Sequence, residues 1–517
     1  MAADTAYRRT KNSLRNSFVA VGLQIVSLLI GFWSRRVFLN CLGTEVLGLN
    51  TTATSLLQFL NLAEMGIGSA IAVTLYKPIF DDDKQSIKEI VALQGWMYRI
   101  IALIVMGGSA VMMCFFPLIF SKTPLPLWYA YASFGVLLYS SLLGYFFNYK
   151  QILLDAHQQN YKIQLTVKLS SILKFATQAL AVKFLDNGYV WWLILEAAFA
   201  TLTTILLSIT VNKSFPYIKE KIESPAELRH KYPVVFKKVK QLFVHKIGGF
   251  VVNQFPPILI YGFATLTLVA KYGNYLLFTN NLTYILSACF LGLAASVGNM
   301  VASNDRALTI KVFRELFSIR FLMTAVCCIC MWILVEPFIC LWIGEEYLLD
   351  SSTLILMIVA FYISNSRAVV DTFINAYGLF RDIWAPVVEV ILNLALSITL
   401  GSIFGLNGIL SGLIISELLV VKIWKPYFLS RYGLEIPWFD YIRINLKHLL
   451  IGAAAAVLLL FVLKYVKVDA SASFGVFFIY ASIVFIASSL ILYALLYLFE
   501  PGMRSFTDRM LKIIGKM

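Results

Sequence analysis

The sequence predicts an all-α polytopic membrane protein of about fourteen transmembrane helices. They form two parallel six-helix repeats around a central cavity, with two additional helices at the C-terminus. Three observations predict this. Hydrophobic residues make up 60% of the 517 and charged residues only 14%, whereas soluble domains are roughly a quarter charged. Fourteen apolar stretches are long enough to cross a bilayer core, which takes about 20 residues. Positive charge also alternates from side to side along the whole chain.

The spans of the first half are 16–36, 48–76, 97–120, 126–147, 163–184 and 188–211. Those of the second half are 242–266, 274–301, 315–336, 352–378, 383–404 and 407–428, followed by 446–465 and 474–499. Nothing in the short basic lead, 1–15, looks like a cleaved signal: the first span ends in Arg35-Arg36 and lacks a small-residue cleavage site. The polar stretch 212–241 is amphipathic in parts and reads as a cytoplasmic linker along the membrane surface. The expected organisation is an N-terminal lobe over 1–211, the linker 212–241, a C-terminal lobe over 242–428, and two extra spans with a basic tail over 429–517. Six spans per half is an even number, so both halves start on the same side. The repeat is then parallel, about an axis along the membrane normal.

With the N-terminus placed inside, inside segments carry 34 of the 43 Lys and Arg. Outside loops hold only Lys122, Lys183, Lys271, Lys464 and Lys467, and Arg35, Arg36, Lys174 and Arg367 lie within spans. Both termini are therefore expected in the cytoplasm. The net charge of +15 is a topology signal before it is anything else, and no nucleic acid is expected as partner. No metal site is expected either: the histidines, His157, His230, His245 and His448, are scattered. Cys327-Cys328-x-Cys330 has no nearby His or carboxylate, so it reads as packing. Only Cys41 and Cys340 fall where an oxidising compartment could act on them. No P-loop is present. The outside loops are short and none holds a Ser-His-Asp arrangement. Together these argue against an enzyme, and no cofactor is expected beyond a coupling cation, H+ or Na+.

The organising stretch is Trp33 to Phe80, in which one span ends in two arginines, the chain turns, and the next span carries Glu64 beside Gly66 and Gly68. Residues 262–300 repeat it weakly, with Leu62-Ala63-Glu64-Met65-Gly66 aligned on Ala288-Cys289-Phe290-Leu291-Gly292. Beyond it, Asp83-Lys84 aligns with Asp305-Arg306, and Ile87-Lys88 with Ile310-Lys311.

A charge at the bilayer centre costs about 2.5–3.5 kcal/mol on insertion scales, so each one needs a reason. Arg35 and Arg36 suit either snorkelling to outer headgroups or an anion site. Adjacent helical residues diverge by about 100°, so at most one of them faces any given cavity. Lys174 lies midway along its span with no partner on its own helix. Glu64 suits a proton or cation site, a gating salt bridge, or a structural pair with a basic residue. Arg367 and Asp371 are one turn apart, which allows mutual neutralisation or gating. Glu196, Glu389 and Glu417 are less central. Span 7 carries Lys246, Asn253, Gln254 and the pair Pro256-Pro257, which is expected to break the helix. Asn280 and Asn281 follow in span 8 as donors for hydroxyl groups or for neighbouring helices. Gly401, Gly405, Gly408 and Gly412 bracket a turn and allow close helix packing.

An ordered set of short stretches resembles the Wzx-type oligosaccharide flippase branch of the polysaccharide transporter family, within the multidrug/oligosaccharidyl-lipid/polysaccharide (MOP) superfamily. The stretches are Leu42-Gly43-Thr44-Glu45-Val46-Leu47-Gly48-Leu49, Ala63-Glu64-Met65-Gly66-Ile67-Gly68, Leu75-Tyr76-Lys77-Pro78 and His245-Lys246-Ile247-Gly248. They continue with Tyr272-Gly273-Asn274-Tyr275, Leu341-Trp342-Ile343-Gly344, Ala376-Tyr377-Gly378-Leu379-Phe380 and Asn407-Gly408-Ile409. The resemblance implies two six-helix lobes, a central cavity lined mainly by spans 1, 2, 7 and 8, alternating access, and a lipid diphosphate-linked oligosaccharide as cargo. It further implies a bacterial inner membrane, a monomeric transport unit and a polysaccharide polymerase as partner. The chain departs from the family pattern at Pro256-Pro257, where polar residues including an Asp are usual, so no acidic role carries over there.

The chemistry agrees with such a cargo. A diphosphate with sugars cannot cross hydrocarbon unless its hydration is replaced. The residues expected to hold the diphosphate are Arg35 or Arg36, Lys174 and Lys246. Asn253, Gln254, Asn280 and Asn281 would contact sugars, and Glu64, Arg367 and Asp371 would couple or gate. One alternative is an ion-coupled exporter of small cations, which wants a net acidic cavity. Another is a glycan polymerase or acyltransferase, which wants a large catalytic outside loop.

Overall fold

The computed structural model describes residues 2–157, 159–219, 227–290, 297, 298, 300, 301, 305–379, 381, 382, 384–466 and 468–514. Side chains of 2–21, 219, 241, 242, 244–253, 513 and 514 lie outside the description. Every long element is a helix, and no strand occurs among the described residues. The chain divides into an N-terminal unit, Met1–Gly273, and a C-terminal unit, Asn274–Met517.

In the N-terminal unit the long helices are α1 (Ala2–Leu60), α2 (Ile67–Phe80), α3 (Lys84–Cys114), α4 (Trp128–Phe146), α5 (Asn160–Phe184), α6 (Gly188–Ser214) and α7 (Pro233–Phe263). The helix α8 (Leu266–Phe290) begins in this unit and continues into the next. The C-terminal unit then holds α9 (Arg306–Trp342), α10 (Ser351–Ser366), α11 (Ala368–Ala376), α12 (Trp384–Glu417), α13 (Trp438–Leu463), α14 (Phe474–Phe499) and α15 (Pro501–Ile514).

Among the described residues, nine helical stretches are long and apolar enough to span a membrane, or ten with the bent pair Trp128–Phe146 and Asn148–Ala156. Two of these stretches are over-long. Gly22–Phe80 has 59 residues and Trp384–Leu434 has 51, against the roughly 20 that one crossing needs. Each contains two expected spans. The first pair is divided at Gly43 (φ 83°, ψ 173°) and the second at Gly405 (φ 58°, ψ −133°). After Gly405 the chain folds back closely: a Cβ on Gly408 would overlap the Leu400 carbonyl, and one on Gly412 would overlap Ser397. The glycine spacing here is thus a close-packing device.

The aligned acids of the repeat do the same work in both units. Asp83 Oδ1 accepts from Ser86 N at 3.0 Å to cap α3, and Asp305 Oδ1 accepts from Leu308 N at 2.9 Å to cap α9. The remaining aligned residues Leu291 and Gly292 lie outside the described set.

Within the N-terminal unit, α1 packs on α5, α5 on α6, α4 on α6, and α2 against α3 and α7. Leu49, Ala53, Ile71, Leu75, Ile90 and Phe134 are buried there. In the C-terminal unit, Phe321, Ile329, Leu459, Val484 and Leu496 bind α9, α13 and α14 together. A second cluster, Phe313, Phe317, Val370, Phe373 and Tyr441, adds α11. Large apolar side chains outside these cores are exposed, among them Leu103, Leu118, Ile391, Leu450 and Ile479. Such a surface fits lipid rather than water.

One expectation changes. The helix α7 runs unbroken through Pro256 and Pro257, so the double proline does not break span 7. Proline's fixed φ is itself helical, so the chain keeps its course while losing two donors. The break falls in span 2 instead, where α1 gives way to a 3₁₀ turn over Asn61–Glu64. All seven cysteines, including Cys41 and Cys340, are free thiols.

Candidate functional site

The break in span 2 is built by Gly66. Its φ of 95° and ψ of −24° put it in the left-handed region before α2 resumes at Ile67. A helix interrupted at membrane depth is tolerated where the freed backbone lines a cavity. Here it lines one of about 570 Å3, walled by Gln58, Asn61, Glu64, Met65, Gly68, Gln94, Tyr98, Ser141, Gly144, Tyr145, Tyr149, Gln151, Ile152 and Gln254.

Ser141 Oγ and the Tyr145 hydroxyl both donate to Asn61 Oδ1, at 3.1 and 2.9 Å. The Tyr98 and Tyr145 rings stack at 5.7 Å, and the Glu64 carboxylate faces both hydroxyls. Gln94 is buried, and its Oε1 has no hydrogen-bond partner among the described residues. Gly95 leaves room for Tyr149, whose ring would lie 2.9 Å from a Cβ there. Among the described residues, Glu64 is thus the one carboxylate of a wall rich in carboxamides and tyrosines.

Of the other expected site residues, only Gln254 joins Glu64 in this wall. Arg35 turns inward, so that a Cβ on Gly273 would sit 3.0 Å from its Nη2, while Arg36 is exposed. Lys174 does have a partner, on the neighbouring helix. Its Nζ lies 2.7 Å from Glu196 Oε1, and Gln178 donates to the other oxygen at 3.0 Å. Lys246 and Asn253 lie outside the described side chains. Asn280 is exposed, and Asn281 donates to the Leu277 carbonyl of its own helix at 2.6 Å.

Arg367 and Asp371 belong to a denser network in the C-terminal unit. Arg367 Nε meets Asp371 Oδ2 at 2.8 Å, Lys425 Nζ meets Asp371 Oδ1 at 2.9 Å, and Arg367 Nη1 lies 3.9 Å from Glu389 Oε1. Glu417 accepts from Ser364 at 2.7 Å. Sequence reasoning missed Lys425 here, and missed Gln94, Tyr98, Tyr145 and Tyr149 in the first cavity. The signal was present, because Gln94/Tyr98 and Tyr145/Tyr149 are each four apart along apolar segments. Among the described residues, no group of three or more His, Cys, Asp or Glu is placed to hold a metal ion.

With the geometry in place, the fold is similar to three solved structures. One is the lipid II flippase MurJ in an inward closed conformation, with TM-score 0.63 and 15% identity, covering 93% of this chain and 99% of that one. A second is an inward-facing MATE multidrug resistance transporter of the MOP superfamily, with TM-score 0.60 and 11% identity over 81% and 99%. A third is a mutant of the Vibrio cholerae MATE transporter VcmN, with TM-score 0.53 and 13% identity over 84% and 98%. No family model matches the chain, and no curated protein matches it in sequence. The chain is a multi-pass membrane protein with the fold of MOP-superfamily transporters.

Proposed function

We propose that the chain flips a lipid diphosphate-linked oligosaccharide from the cytoplasmic to the outer leaflet of a bacterial inner membrane, by alternating access, for cell-surface polysaccharide synthesis. The observation that carries this reading is the wall of the Glu64 cavity. Five carboxamides and three tyrosines line it, and such groups pair with sugar hydroxyls while a carboxylate takes H+ or Na+. The flippase likeness supports the same reading, since it extends over 93% of this chain where the two MATE likenesses extend over 81% and 84%. On this proposal both termini are cytoplasmic, the transport unit is a monomer without catalysis of its own, and a polysaccharide polymerase receives the cargo. Arg35 or Arg36, together with Lys246, would hold the diphosphate. Lys174 would contribute only on release from Glu196.

A second reading, export of small organic cations, draws on the same cavity. Among the described residues no Lys or Arg lines it, and a carboxylate beside stacked tyrosines is a cation-accepting arrangement. The test is proteoliposome translocation of a fluorescent lipid diphosphate-linked oligosaccharide, with a cationic dye as parallel cargo. Movement of the glycolipid, abolished in Arg35→Ala/Arg36→Ala protein of normal abundance, is the result expected. Movement of the dye alone would replace the flippase reading with the exporter reading.

A further inference from the structure

The C-terminal unit contains a cavity unlike the one around Glu64. It measures about 440 Å3, and its walls come from α9, α10, α13 and the segment following α12. Phe321, Ile329, Val359 and Leu449 give it an apolar lining. Its polar groups are Lys422, Asn445 and the Tyr362 hydroxyl.

Lys422 sits in a π-helical stretch, Leu418–Trp424, that continues α12. Widened turns of this kind re-aim side chains and are frequent at functional sites. The Lys422 ammonium is buried and finds no hydrogen-bond partner among the described residues. It lies over the Tyr362 ring, whose centroid is 4.5 Å away. Glu417, the last residue of α12, acts on Lys422 through space but forms no hydrogen bond with it; its Oε1 accepts from Ser364, and it is not part of the wall. Asn445 Oδ1 is likewise buried without a partner. A buried ammonium without a hydrogen-bond acceptor is costly, and an anion in the cavity would supply one.

We propose that this cavity binds one anionic phospholipid as a resident ligand, with its phosphate on Lys422 and Asn445 and an acyl chain along the apolar wall. The polar groups lie toward one end of the unit. Asn445 is seven residues into α13, about 10 Å along it at 1.5 Å per residue. Exposed Arg431 and Arg443 stand at that end, where an anionic headgroup is favoured. The remaining wall is apolar, so the cavity offers an acyl chain a continuous hydrocarbon-like lining. The assignment concerns a bound lipid, not the cargo, and does not depend on what is transported.

The test is native mass spectrometry of the full-length protein titrated with phosphatidylglycerol or phosphatidylcholine of the same chain length. Wild type should retain one phosphatidylglycerol at least 10-fold more tightly than phosphatidylcholine. Lys422→Met should lose that selectivity while Lys422→Arg keeps it. Ala453→Trp, which fills the wall without touching a charge, should lose the retained lipid altogether. Equal retention of the two lipids by wild type would overturn the proposal, as would wild-type selectivity in Lys422→Met. So would displacement of phosphatidylglycerol by equimolar inorganic phosphate, since that would leave the apolar wall without a role. A thermal melt of each variant separates loss of binding from loss of fold.

Discussion

The carboxylate of Glu64 lines a cavity of about 570 Å3 among amides and tyrosines, with no cation in the wall among the described residues. In the C-terminal unit, Asp371 lies between two cations at 2.8 and 2.9 Å, and Glu389 stands 3.9 Å from one of them. Both units carry charge at membrane depth, where each charge is expensive. One unit spends it on an accessible polar space. The other cancels it locally, in a network that holds α10, α11, α12 and the segment after it in register. The difference teaches that an intramembrane charge does not by itself mark a working site. What surrounds it decides.

That contrast can be broken most forcefully at Asp371. If the network is structural, Asp371→Asn leaves Arg367 and Lys425 facing each other with only the more distant Glu389 and Glu417 to answer them. Removing one partner of a fully buried pair costs about 3–5 kcal/mol, and with Arg367 and Asp371 at 23% and 30% exposure the loss should fall toward or below the lower end of that range. Thermal melts in detergent should show a large loss of stability, and a neutral melt would remove the contrast. The paired substitution Arg367→Met with Asp371→Leu removes one charge of each sign and leaves Lys425 with Glu389 and Glu417, so it should recover most of that loss.

A smaller effect is expected inside the N-terminal unit. Lys174 and Glu196 are both largely buried at 2.7 Å, with side-chain exposures of 19% and 13%. A double-mutant cycle with Lys174→Met and Glu196→Gln should give a coupling of about 0.5–3 kcal/mol, the range for residues in direct contact. Additive single effects would instead return Lys174 to the set of available cations.

The smallest effect tests the internal repeat. The Asp83 carboxyl is held below its ordinary range, chiefly by the hydrogen bond from Ser86. A depressed carboxylate stabilises above its unfolded pKa of about 3.9, and its contribution fades as pH falls through the folded value. The stability difference between wild type and Asp83→Ala should therefore be constant near neutrality and shrink below about pH 4. Asp305→Ala, at the aligned cap of the other unit, should lower stability at neutral pH in the same direction.

Much of the fold was legible because apolar length and basic alternation are one-dimensional signals. The over-long helices divide at Gly43 and Gly405, where turns between spans were already expected. The position of the break was not legible. Two prolines argued for span 7, yet a proline ring fits helical φ, and it was the left-handed Gly66 that interrupted span 2. Charge partners divided the same way. Arg367–Asp371 is visible at i, i+4, whereas Lys174–Glu196 and Asp371–Lys425 lie 22 and 54 residues apart. Such pairs are set by which helices pack together, and no local spacing reveals that.

On the proposed function, Glu64 couples translocation to an ion and the Arg367–Asp371 network holds its helices in place. The most direct measurement is gradient-driven translocation of the lipid-linked oligosaccharide in proteoliposomes, comparing Glu64→Gln with the Arg367→Met/Asp371→Leu protein at matched abundance. The account predicts that Glu64→Gln loses its response to an imposed H+ or Na+ gradient while the paired variant keeps it. A gradient response intact in Glu64→Gln and lost in the paired variant would contradict it.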